Sequence, residues 1–184
     1  MNTNQRQNTL SSLFPNKAIA VPVEVFLLIS AGILAAVLHQ KLKIPIHLPG
    51  KQGIVFLLII ISAARSSRIP MAATIAAAGS AFFFYTFAFD STDILKPILY
   101  LLVAGGIDIL IHLHRNKILN NFSFIILSGA AWSLIPLIRL FITLFTGFPY
   151  KSFLSGFAYP FVTHLLFGAI AAALAVVTLR LIKK

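Results

Sequence analysis

Between Ile44 and Gly53 the sequence reads IPIHLPGKQG, and it stands between two long apolar runs. Lys41, Lys43, Lys51, His39 and His47 crowd in or beside it, and its two prolines and two glycines keep a regular helix from passing through. The run that follows, IVFLLIIISAA, is apolar but short for a membrane span. A helix there crosses a bilayer only if Gly50 to Gly53 lie at membrane depth. Non-helical or polar backbone is tolerated at that depth only where it is buried in protein or lines a wet cavity. Whether this stretch lies at such depth decides how many times the chain crosses.

Composition fixes the solvent. Hydrophobic residues are 59% of the chain, charged residues 10%, and mean hydropathy is +0.94, whereas soluble domains carry roughly 25% charged residues. The chain is therefore expected to be an all-α integral membrane protein. A transmembrane barrel would instead need alternating strands of about 10 residues. At 184 residues it makes a single domain, 1–184, with a polar N-terminal segment over 1–18 that has no signal-peptide pattern. The absence of cysteine excludes disulfides and thiolate metal sites. A net charge of +11 reads as orientation and contact with lipid headgroups, so the lipid bilayer is an expected partner and nucleic acid is not.

A compact bundle of six transmembrane helices is predicted. The spans fall at about 20–38, 50–65, 69–89, 94–113, 121–147 and 156–182. Nine Lys and Arg residues fall on the side of the termini and five on the other, with Arg139 inside the fifth helix. That bias places both termini of a multi-pass protein in the cytoplasm. The first outer loop, with Lys41, Lys43 and Lys51, is the exception to the bias. There is no Walker A, GxSxG, HExxH or paired-carboxylate arrangement, so no covalent chemistry or nucleotide hydrolysis is expected, and no cofactor.

Small residues recur four apart in helix 1 (Ala31 with Ala35, Gly32 with Ala36), and helices 3 and 6 repeat the pattern. Such faces permit close helix approach, within the bundle or against a separate partner. Glu24 and Asp108 lie near cytoplasmic helix ends, where a nearby Arg or Lys can pair with them. Arg139 sits deep in the apolar run of helix 5, at a depth similar to that of His164 on helix 6. It pairs with Asp90 or Asp93, or it awaits a ligand carboxylate or phosphate. His112 and His114, two apart, point to different faces of a helix and cannot chelate together. His39 and His47 are expected at the outer surface.

With AGILA (Ala31–Ala35) in helix 1, a long first outer loop (Gln40–Gln52) and AGGIDIL (Ala104–Leu110) in helix 4, the chain resembles the substrate-binding S component of energy-coupling factor (ECF) vitamin transporters. The resemblance implies a solute-capture subunit driven by a transmembrane coupling subunit and separate ATPases. It implies that Ala31 and Ala35 dock on the coupling subunit and that the broken first loop closes over an outward-facing cavity. The ligand, a small vitamin-like or other micronutrient solute of anionic or polar heterocyclic character, is expected among His47, Lys51, Gln52, Trp132, Arg139 and His164. The alternative is a haem- or quinone-binding membrane redox subunit using His164 or His39; a third reading is a structural anchor for other subunits.

Overall fold

The computed structural model describes residues 17–42, 45, 48–87, 93, 95–147, 150, 153, 156 and 158–182. His47, Lys43, Asp90 and Lys151 lie outside the described residues. Among the described residues there are six helices: α1 (Lys17–Lys41), α2 (Gly53–Ser66), α3 (Ala72–Phe87), α4 (Lys96–Arg115), α5 (Asn121–Thr146) and α6 (Ala158–Ile182). No expected helix end is off by more than three residues, and no strand occurs among the described residues. By length and composition α1, α4, α5 and α6 can each cross a membrane, whereas α2 and α3, at 14 and 16 residues, are shorter apolar helices.

Helix starts and stops follow local chemistry. Asn120 caps α5, its side chain accepting from the Ser123 amide at 2.7 Å, and Gly147 ends that helix at φ 68°. Pro97 and Pro160 fall in the first turns of α4 and α6, where a missing N–H is harmless. Pro136 lies inside α5 and removes the donor that would serve the Trp132 carbonyl.

The shortest helix is the central one. α2 packs on α1, α3, α4 and α6, burying Phe56, Leu57, Ile60, Ile61 and Ala64. Around it, α1 lies along α3 and α5 along α6, each pair drawn together by glycine. A side chain at Gly32 would collide with the Ala76 carbonyl, and one at Gly129 with the Leu165 carbonyl. Ser80 Oγ donates to the Gly32 carbonyl at 2.7 Å across the α1–α3 seam.

This packing corrects the assignment of the helix 1 face. Ala35 is fully buried inside the bundle and Ala31 is partly exposed, so the two do not form one outward surface. The close approach offered by small residues is taken up by α3. The acids are corrected as well. Glu24 accepts from Ser67 Oγ (2.6 Å) and the Arg68 amide (2.7 Å). Asp108 accepts from the Ala73 and Thr74 amides (both 2.8 Å) and Thr74 Oγ1 (2.7 Å). A carboxylate at the N-terminus of α3 satisfies orphan donors and complements the helix dipole. Arg115 completes the clamp by donating to the Ala64 and Ser67 carbonyls at the end of α2.

Ala35→Trp is therefore expected to overpack the α1–α3 seam and destabilise the protein by about 1–3 kcal/mol or more. Thermal unfolding in detergent measures this, and an unchanged midpoint would return Ala35 to an outer face.

Candidate functional site

The chain between α1 and α2 enters the bundle. Gly50 turns at φ 81°, a left-handed conformation that favours glycine, and the Gly53 amide bonds back to its carbonyl at 2.9 Å. Space imposes a second requirement, because a Cβ on Gly50 would lie 2.7 Å from His164 Nδ1. At Gly53 a Cβ would overlap the Trp132 indole. The turn thus brings the start of α2 against side chains from α5 and α6.

Beside it opens a cavity of about 460 Å³. Of the six side chains expected at a ligand site, Lys51, Gln52, Trp132, Arg139 and His164 all line it, and the sixth, His47, lies outside the described residues. Trp132 and Arg139 are seven residues apart, two turns of α5, and so share a face. Trp132 is 1% exposed, stacks on His164 (centroids 6.1 Å apart) and on Phe56 (5.9 Å), and its buried Nε1 has no hydrogen-bond partner. His164 Nδ1 donates to the Pro160 carbonyl at 2.7 Å, which fixes the ring and leaves Nε2 as an acceptor in the neutral form.

The open question at Arg139 has an answer in the geometry: its Nη2 donates to the Asp93 carboxylate, with both side chains 17% exposed. The guanidinium also lies 5.5 Å from the centre of the Tyr150 ring, while its buried Nε has no hydrogen-bond partner. Burial raises the Tyr150 phenol above its ordinary pKa, Asp93 adding to the shift and Arg139 opposing it.

Four further lining residues with polar side chains, His39, Asp93, Lys96 and Tyr100, were not among the expected ligand contacts. His39, expected at the outer surface, is 4% exposed. Its ring meets Phe56, Phe84 and Tyr100 edge-on, and its Nε2 lies 3.1 Å from the Tyr100 hydroxyl. Lys96 Nζ stands 4.6 Å from the Phe84 ring centre, a cation–π distance. Asp93 had been considered only as a partner for Arg139. A signal was available: Lys96 and Tyr100 are four apart on one helix, and Asp93 is one turn earlier. For His39 there was none, since nothing in its neighbourhood sets the rotation of α1.

Electrostatically the cavity is one-sided. Lys51, Lys96 and Arg139 line it together with Asp93, the one carboxylate among its described lining residues. Both α2 and α4 begin at its wall, at Gly53 and Lys96, and helix N-termini add partial positive charge. The arrangement suits an anion with a flat apolar part. No group of three or more His, Cys, Asp or Glu placed to hold a metal occurs among the described residues.

Trp132 is the sole tryptophan, so its emission reports this site alone. Gly53→Ala is expected to displace the indole, shift the emission and cost about 1–3 kcal/mol of stability by overpacking. Unchanged fluorescence and stability would mean that the ring does not rest on Gly53.

No family model, no curated protein and no solved structure matches the chain, and its chemistry is to be argued from its own residues.

Proposed function

We propose that the protein is the substrate-capture subunit of an ECF-type importer in the bacterial cytoplasmic membrane, holding a small anionic solute in the cavity above α2. The observation that carries this reading is the meeting of three cationic side chains, Lys51, Lys96 and Arg139, with an aromatic wall in a cavity of ligand size. All six helices cross the bilayer. α2 is only about 21 Å long at the usual rise, and the turn at 48–52 makes up its missing depth by lining the wet cavity. Both termini face the cytoplasm, with Arg65, Arg68, Arg115, Lys117 and Arg180 on that side. A coupling subunit and ATPases supply the energy, and the exposed side of α1 that includes Ala31 is available to meet them.

The haem or quinone alternative has less behind it. One nitrogen of each cavity histidine is already engaged, with Tyr100 for His39 and with Pro160 for His164. A Soret band in the purified protein would revive it.

Mass spectrometry of small molecules released from gently purified protein is expected to find an anionic solute that quenches or shifts Trp132 emission when added back. Absence of any such molecule, with Trp132 insensitive to the released pool, would remove the proposal.

The Arg139–Asp93 pair gives a sharper test. Asp93 occupies Arg139, so an anion in the cavity competes with it for the guanidinium. Arg139→Met is expected to weaken binding of the released solute about 10- to 150-fold, as for loss of a charge-assisted hydrogen bond, and to lower stability by leaving Asp93 unpaired. Asp93→Asn is expected to tighten binding. The double variant should regain stability without regaining affinity, as followed by calorimetry and thermal unfolding. Affinity unchanged by Arg139→Met would make the pair a structural tie only.

A further inference from the structure

At the opposite end of the bundle, between the turn joining α2 to α3 and the end of α4, lies a second cavity of about 540 Å³. Its walls are apolar, from Ala64, Ile69, Ile109 and Ile111, and its rim carries Arg68, Arg115 and His112. The one carboxylate lining it, Asp108, is already engaged by three donors at the start of α3. Arg115 donates to two backbone carbonyls, which orient its guanidinium but leave its charge uncompensated. Arg68 is exposed and Ile109 is 62% exposed. The backbone contributes as well: Met71 holds φ 63°, a conformation rare for a residue with a side chain, and its own side chain is 61% exposed beside the groove.

We propose that this groove binds an anionic phospholipid, its phosphate between Arg68 and Arg115 and the start of an acyl chain along Ile109 and Met71. Arg115 is the last residue of α4, one of the helices long enough to cross a membrane, so the rim lies where headgroups lie. Cations over an apolar trough match an amphiphile with a charged head, and basic clefts at such helix ends recognise anionic headgroups. A zwitterionic lipid offers the same chain but no net charge to these arginines. The proposal needs α4 to cross a bilayer and is independent of anything bound above α2.

The test uses the full chain in mild detergent with dioleoyl phosphatidylglycerol or dioleoyl phosphatidylcholine added. Thermal stability and native mass spectrometry are the readouts. Phosphatidylglycerol is expected to raise the melting temperature more than phosphatidylcholine and to remain bound at higher activation. Arg68→Gln is expected to weaken retention about fivefold, the effect of one cation near a membrane surface. Ile109→Trp, at an exposed site that tolerates bulk, should fill the trough and do the same. Arg180→Gln, a charge at the same end outside the groove, should leave retention unchanged. Equal effects of the two lipids overturn the proposal, as does a loss with Arg180→Gln as large as with Arg68→Gln. It also fails if Arg68→Gln and Ile109→Trp spare lipid retention but abolish co-purification of a protein subunit, which would make the groove a protein seat.

Discussion

A buried backbone polar group needs a partner from the protein or from trapped water, and the start of α2 is where this constraint presses hardest. α2 is at once the shortest helix and the one packed on four others. A short helix at the centre of longer ones leaves unfilled space above its end. The chain fills part of it with the turn at 48–52, whose Gly50, Lys51 and Gln52 carbonyls accept from the Gly53, Ile54 and Phe56 amides of α2. What stays unfilled is the cavity. Its position is thus a consequence of helix length, and its chemistry follows from which side chains the surrounding helices present at that level.

The bundle around α2 is held by close contact more than by polarity. Gly32, Gly79, Gly129 and Gly168 each stand where a Cβ would strike a neighbouring helix. Without a hydrophobic drive between helices in lipid, dispersion at such seams is a main source of association. The α1–α3 and α5–α6 pairs are therefore rigid walls on either side of α2. Trp132 depends on this directly, since Gly168 makes room for its Cβ and Gly53 for its ring.

Helix positions were legible in the sequence because span length is a strong signal, and the punctuation of Pro49, Gly50, Asn120 and Gly147 set several ends. That Arg139 and His164 meet at one end of the bundle was legible from depth counted along α5 and α6, and Lys51 joined them through the broken segment before α2. Rotation about each helix axis was not. In water an apolar stripe reveals the inward face, but here the lipid-facing and core-facing sides are both apolar. Ala35 turned inward for that reason and His39 could not be placed. The partners of Glu24 and Asp108 were missed because the turn at 67–71 and the start of α3, whose amides they serve in that order, have no sequence mark beyond Pro70.

Scarcity of acids ties the two ends together. The whole chain has four carboxylate side chains against 15 Lys and Arg residues. Glu24 is committed to the Arg68 amide in the turn between α2 and α3, and Asp108 to the Ala73 and Thr74 amides, which would otherwise be orphaned at the start of α3. Asp93 is committed to Arg139, and Asp90 lies outside the described residues. Holding the far end with carboxylates therefore removes them from the cavity wall, where Lys51, Lys96 and Arg139 stand with Asp93. The cationic lining of the cavity is in this sense a property of the whole fold. A single added acid on the wall, at the position of Gln52 for instance, would offset one of those cations without touching a helix seam.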